Sequence, residues 1–328
     1  MAFLPFDRYQ KRINSKYYSK KGSAIYGDFS TFALGNRIAQ ANAKEFHGFA
    51  KKRKGSLEVG EFGVGNGLFA RRFLEEVERL DVERGTGCLK RIDYSLVDIS
   101  RKMLMDAKMN LRGYDVNIVC SDALEFRPRK LFNYVRINEL LSDLPSKLLF
   151  RKGKGIFELG LSGKKPALVR YAGGMPPGIG EFPEGYVFPM NTGAIGFLQG
   201  LKKVIAKGGY VDIFDYGFGS FGDVVEEPRE VWNDNVSRWY GDQVTVDVNF
   251  PHLKSAFRTL KLETQKEYVE RVLKERLFQV QMENRICYLN EAELAGAAKK
   301  LRRAGYSEEF IRGEFEEESD YWHVRIKY

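Results

Sequence analysis

Residues 56–69 read Ser56-Leu-Glu-Val-Gly-Glu61-Phe-Gly63-Val-Gly65-Asn-Gly67-Leu-Phe69. Apolar residues lead into an acid, glycines follow at every second position, and Phe69 to Val77 then repeats apolar side chains at helical spacing. The stretch predicts strand, glycine loop and helix. A loop without side chains, tolerant of positive φ, lets main-chain amides approach a ligand where the helix begins. The spacing is neither the G-x-G-x-x-G of a dinucleotide loop nor the Gly-Lys-Ser/Thr ending of a P-loop.

Downstream, Tyr94 to Ser100 reads as a second strand with Asp98 at its carboxyl end, followed by a helix from Arg101 to Leu111. Ligands of open α/β sheets lie beyond the carboxyl ends of the strands, and an acid there can accept both hydroxyls of a ribose. Asp98 is therefore a ribose candidate, with Ile99 beside it; a helix-capping role for Asp98 stays open. Its distance from Glu61 exceeds the roughly 20 residues of a compact unit, and the charged excursion from Arg79 to Arg91 accounts for the excess. A third strand, Val116 to Cys120, ends in Ser121-Asp122-Ala123. There an acid can accept from an adenine amino group while the adjacent amide meets a ring nitrogen. A fourth, Tyr134 to Ile137, ends in Asn138-Glu139-Leu-Leu-Ser-Asp143-Leu-Pro145.

The remainder divides around this core. Residues 8–22 are basic and rich in tyrosine, and 32–54 have helical spacing. Residues 147–172 read as strands with tight turns, a β insertion, and 173–185 as a Gly/Pro loop that could form a lid. A helix from about Gly193 to Ala206 leads to a fifth strand, Tyr210 to Phe214, ending in Asp215-Tyr216-Gly217. Gln243 to Phe250 is a further strand, 252–304 are helical, and Tyr321 to Tyr328 alternates like a closing strand. The expected organisation is an N-terminal helical segment (1–55), a core (56–146, 190–250 and 320–328), the β insertion with its lid loop (147–189), and a C-terminal helical region (251–319).

With 328 residues, 43% hydrophobic and 30% charged, the chain suits a globular protein. No apolar run approaches the roughly 18 residues of a membrane span, and the first residues lack the apolar core of a signal peptide. The expectation is a cytoplasmic protein without a membrane partner. The net charge of +9 permits a nucleic-acid partner but does not favour one, because the basic residues are spread along the chain. Lys51-Lys52-Arg53-Lys54 suits a helix C-terminus before Gly55. Cys88, Cys120 and Cys287, like His47, His252 and His323, are scattered without metal-ligand spacing, so no metal is expected.

The acid-x-Gly-x-Gly-x-Gly loop resembles the end of the first strand in S-adenosylmethionine (SAM) methyltransferases. Together the motifs resemble the MidA-like SAM-dependent methyltransferases, a family that includes the mitochondrial complex I assembly-factor methyltransferase. Tyr17-Tyr18-Ser19 with Gly27-Asp28-Phe29-Ser30-Thr31 is similar to the family's N-terminal signature, and Leu96 to Ser100 to its ribose-binding strand end. Asn138 to Pro145, Asp215-Tyr216-Gly217, and Asp242 to Phe250 resemble three later motifs in the same order. The loop from Phe218 to Pro228 and the segment Val187-Phe188-Pro189 depart from the pattern, both in regions expected to face the substrate.

The resemblance implies an α/β fold: a Rossmann-like class I SAM methyltransferase sheet with an N-terminal helical extension, a β insertion and a C-terminal helical region. It implies SAM as cofactor, held by Gly27, Asp28, Phe29, Glu61, Gly63, Gly65, Gly67, Asp98, Ile99, Asp122, Ala123 and Asn138. It also implies a protein substrate methylated on arginine. Glu139, Asp143 and Asp215 are the catalytic candidates, because a permanently cationic guanidinium needs carboxylates to orient it. An RNA or small-molecule methyltransferase, or a SAM-binding assembly factor, are the alternatives. The oligomeric state is left open.

Overall fold

A computed structural model describes residues 2–182, 184–223, 236–282, 285–308 and 320–328. The chain opens with β1 (Phe3–Pro5), α1 (Phe6–Lys21), α2 (Arg37–Lys51), β2 (Leu57–Phe62) and α3 (Leu68–Arg84). Next come β3 (Ile92–Asp98), α4 (Arg101–Asn110), β4 (Val116–Cys120) and β5 (Phe132–Asn138). They are followed by β6 (Lys147–Lys152), β7 (Gly155–Ser162), β8 (Lys165–Arg170), β9 (Val187–Met190), α5 (Thr192–Leu201) and β10 (Ile205–Phe218). The rest comprises β11 (Ser237–Tyr240), β12 (Gln243–Val246), β13 (Val248–Asn249), α6 (Phe250–Ala256), β14 (Lys261–Thr264) and α7 (Gln265–Leu273). It ends with β15 (Phe278–Met282), β16 (Arg285–Leu289), α8 (Glu291–Arg303) and β17 (Tyr321–Lys327).

The central sheet runs β4-β3-β2-β5-β10-β17-β14. The strands β4, β3, β2, β5 and β10 are parallel, and β17 is antiparallel to both of its neighbours. This is the Rossmann-like methyltransferase sheet expected from the sequence. Its register aligns the carboxyl ends: Phe62 lies opposite Val97 and Ile137, Asp98 opposite Cys120, and Asn138 opposite Phe214. The loops after these strands therefore meet at one edge of the sheet.

Alternation along the strands sends side chains to two cores. Val135, Ile137, Val211 and Ile213 pack with α5 and α6 on one face. Val59, Tyr94, Leu96 and Tyr134 pack with Phe46 of α2 and Phe73 of α3 on the other. No helix among the described residues is long and apolar enough to cross a membrane.

Residues 147–170 form the expected antiparallel strands, but their sheet, β1-β7-β6-β9 with β8 on β7, also recruits β1 from the N-terminus and β9, a strand not read from the sequence. The N-terminal segment is thus not purely helical: Phe3 to Pro5 pairs with Gly160 to Ser162. Nor is the C-terminal region purely helical. It supplies β14 to the central sheet and the hairpin β15–β16; these strands have four or five residues, too few for a period to register. The expected helix 193–206 stops at Leu201 because Ile205 already starts the long β10. The expected strand 243–250 divides into β12 and β13, and Phe250, followed by Pro251 at a favoured helix start, opens α6. Ile179 and Phe182, from the expected lid loop, are buried against β6 and β9. Residues 224–228 of the divergent loop and 309–319 of the C-terminal region lie outside the described residues.

Candidate active site

An open cavity of about 1370 Å³, its mouth included, lies at the carboxyl edge of the central sheet. Gly63, Gly65, Asp98, Ile99, Asp122 and Ala123 line one part; Asn138, Glu139, Asp143, Tyr216, Tyr240 and Tyr321 line another. Of the residues singled out in the sequence, Phe29 and Glu61 also face it, whereas Gly27, Asp28, Gly67 and Asp215 do not.

Each of those four has a different task. Asp28 accepts hydrogen bonds from the Tyr17 hydroxyl and the Lys21 ammonium, both at 2.5 Å, and so closes the turn after α1. Gly27, just before it, ends that turn. Gly67 starts α3 with φ +76°, and a Cβ there would stand 2.8 Å from the Cα and Cβ of Ala107, so its job is to let α3 and α4 touch. Asp215 is fully buried. Its Oδ2 accepts from the amides of Leu141 (2.7 Å) and Ser142 (3.3 Å), which makes it the cap of the turn that presents Asp143.

Glu61 faces the cavity and is also anchored from within the fold. Its Oε2 accepts from Arg136 Nη1 at 2.7 Å and from the Tyr94 hydroxyl at 2.6 Å. Arg136 is wholly buried between the rings of Phe69 and Phe73. The pair joins β2 to β5 directly below the glycine loop.

The carboxyls facing the cavity are in low-dielectric surroundings. Asp98 accepts from the amides of Ser100 (2.7 Å) and Gly65 (3.1 Å), and burial still pushes it up to about 6. Glu139, with the left-handed φ of +48°, accepts from Thr31 Oγ1 (2.8 Å) and the Phe32 amide (3.2 Å). Burial, reinforced by Asp215, raises it to about 7. Burial with the nearby Asp215, Glu139 and Asp98 takes Asp143 to about 8, even though the Tyr18 hydroxyl donates to its Oδ2 at 2.6 Å. Asp143 Oδ1 and Asn138 Oδ1 are buried and have no partner. Asp122 is more open: its Oδ1 accepts from the Leu124 amide and its Oδ2 pairs with Lys11 at 3.3 Å.

One wall escaped the sequence reading. Helix α1 lines the cavity with Lys11, Asn14, Ser15 and Tyr18. Its buried stripe, Phe6, Gln10, Asn14 and Tyr17, has helical spacing but is half polar, so an apolar period does not reveal it. Asn14 exchanges hydrogen bonds with the main chain of Val244, and Gln10 with that of Ser142 and Ser146. Gln243 and Thr245 of β12 complete this wall, with Thr245 accepting from the Tyr216 hydroxyl at 2.6 Å.

Away from the cavity, the structure gathers His47, Asp81 and Cys88, distant in sequence, within 4.8 Å of one another. Asp81 already accepts from the amides of Cys88 and Leu89 and from Thr86, and Arg84 and Arg91 approach the group. It is a structural knot holding the turn after α3.

A family profile described as "Putative S-adenosyl-L-methionine-dependent methyltransferase" matches residues 37–268. The chain belongs to that family. The enzyme is a SAM-dependent methyltransferase of the MidA-like group. It is similar to a Burkholderia thailandensis superfamily member crystallised with S-adenosyl-homocysteine, at 18% identity and a TM-score of 0.66, covering 99% of this chain and 88% of that one. The native crystal structure of an uncharacterised superfamily protein from the same organism gives 19% identity and a TM-score of 0.64, covering 99% and 87%. No curated protein matches the chain. The methyltransferase cavity suits its cofactor chemically. SAM carries a ribose diol, an amino group and an ammonium, all donors, and the walls offer Asp98, Asp122 and the unpartnered oxygen of Asn138.

Proposed function

We propose that this methyltransferase acts on a guanidinium-bearing side chain of a protein. In this reading Gly63, Gly65, Asp98, Ile99, Asp122, Ala123 and Asn138 hold the cofactor, and Glu139 and Asp143 hold the acceptor. The bound cofactor supplies an electrophilic methyl group on a sulfonium. The chain's own part is to align the acceptor nitrogen and keep water out, effects worth roughly 7 to 11 kcal/mol of barrier.

The observation that carries the proposal is the pair of enclosed carboxyls, Glu139 raised to about 7 and Asp143 to about 8, on one cavity wall. An acceptor cation returns such acids to carboxylates, because an opposite charge within a few ångströms favours the ionised form. Arginine brings that charge permanently, with five donors in a fixed fork that suits two carboxylates. Tyr18, Tyr216, Tyr240 and Tyr321 add aromatic surface around the pair, which also favours a cation. After transfer, one of the two carboxylates is the base for the proton shed by the nitrogen.

Purified enzyme incubated with radiolabelled SAM and a cell extract tests the reading. Label in protease-sensitive material, released as methylarginine on hydrolysis, is the expected result. Label confined to nuclease-sensitive material or to small molecules overturns it.

A further inference from the structure

Tyr18 lies in the Tyr17-Tyr18-Ser19 motif and lines the cavity, where the reading above uses only its ring and not its hydroxyl or main chain. We infer that Tyr18 is a positioning residue: its hydroxyl fixes the Asp143 carboxyl for transfer, while its main chain ties that carboxyl to the cofactor side of the cavity. The inference rests on Asp143 acting in the reaction, as proposed above.

Two contacts of Tyr18 reach opposite sides of the cavity. Its hydroxyl is 2.6 Å from Asp143 Oδ2 and 3.1 Å from the Gln243 amide oxygen. Its carbonyl accepts from Ser100 Oγ at 2.7 Å, and the Ser100 amide in turn donates to Asp98 Oδ1 at 2.7 Å. A continuous path of hydrogen bonds thus runs Asp98–Ser100–Tyr18–Asp143. The helix that carries Tyr18 cannot drift easily, because Asn14 one turn earlier is locked to Val244 through both its oxygen and its nitrogen.

Asp143 needs such a partner. Its other oxygen, Oδ1, is buried without one. The groups facing it are Tyr17 and Tyr18 from α1, Glu139 from its own loop, Asp215 and Tyr216 from β10, and Asp98 from β3. Every one is acidic or phenolic, so the Tyr18 hydroxyl is what opposes protonation from this set. A hydroxyl donating to a carboxylate favours the ionised form, the form that orients a cation and accepts its proton. A role limited to packing would leave the protonation of Asp143 untouched when the hydroxyl alone is removed.

The test compares Tyr18→Phe, Tyr17→Phe and Asp143→Asn in full-length enzyme, measuring kcat, the KM for SAM and the pH–rate profile. Tyr18→Phe keeps the ring and the main-chain bond to Ser100. It is expected to lower kcat roughly 10- to 100-fold, leave the KM for SAM unchanged, and move the acidic limb of the profile up by about one to two pH units. Tyr17→Phe, whose hydroxyl serves Asp28, is expected to leave that limb in place. A Tyr18→Phe profile that superimposes on wild type while Asp143→Asn is inactive overturns the inference alone. Loss of SAM binding in Tyr18→Phe overturns it in favour of a structural role. An Asp143→Asn enzyme as active as wild type removes the acceptor reading on which it rests.

Discussion

Replacing two glycines of the same loop by alanine should have separable effects. Gly67 has φ +76°, where an L-residue costs about 1–2 kcal/mol. A Cβ there would stand 2.8 Å from Ala107 Cα, which is backbone of a packed helix and cannot swing aside. Overpacking of that kind adds about 1–3 kcal/mol, so Gly67→Ala should destabilise the fold by about 2–5 kcal/mol. At roughly 2.1 cal/mol/K of unfolding entropy per residue, a chain of 328 residues loses about 1.5 °C of Tm per kcal/mol, or about 3–7 °C in all.

Gly65, at φ +56°, carries a similar conformational cost, and its Cβ would press against the Tyr26 hydroxyl, a side-chain tip that must swing aside and give up the bond it accepts from the Asn66 amide at 3.2 Å. Gly65→Ala should therefore lose about 1.5–3.5 kcal/mol of stability. Its methyl group would nevertheless stand in the cavity wall and weaken SAM binding about tenfold or more, some 1.4 kcal/mol. Thermal melts with and without SAM, with calorimetric titration of the cofactor, separate the two variants. A Gly67→Ala protein melting with wild type, or a Gly65→Ala protein binding SAM at wild-type affinity, would refute the assignment of the loop.

Three further outcomes follow from other parts of the structure. Asp215→Ala leaves the buried amides of Leu141 and Ser142 unpaired, at about 1–3 kcal/mol for each orphaned group; single-turnover assays should show transfer slowed at least about tenfold with SAM binding retained. Arg136→Ala strands the buried Glu61 carboxylate and should cost about 3–5 kcal/mol in urea unfolding, a loss that Arg136→Met with Glu61→Leu should partly restore. The ligand-free protein should lose stability as pH rises from about 4 to about 8. Asp98 and Asp215 (about 6), Glu139 (about 7) and Asp143 (about 8) bind more protons folded than unfolded, each from about pH 4 up to its own value, so Asp143 alone carries the decline at the upper end. Melting curves across pH 5–8.5 check this, and Asp143→Asn should flatten the decline.

The sequence by itself determined the parallel strands of the sheet and one end of the cavity. Glu61 to Gly67, Asp98 and Asp122 each follow directly from a strand whose apolar run is long enough to read, so their place at a carboxyl edge needed only local pattern and the rule of parallel sheets. Proximity that depends on distant segments was beyond it. Asp215 reads as a catalytic acid in line with Glu139 and Asp143, yet its partners are amides 73 and 74 positions away, and only folding turns it inward to cap their turn. Glu61 lines the cavity, and only the fold shows that Arg136 also holds it from beneath. The wall formed by α1 gave no signal because Gln10 and Asn14 are buried by hydrogen bonds to the main chain of β12 and the loop before β6, and such bonds leave no mark in a hydrophobic period. Local sequence therefore decided which elements form, and the tertiary structure decided which of their polar groups are used up inside the fold and which face the cavity.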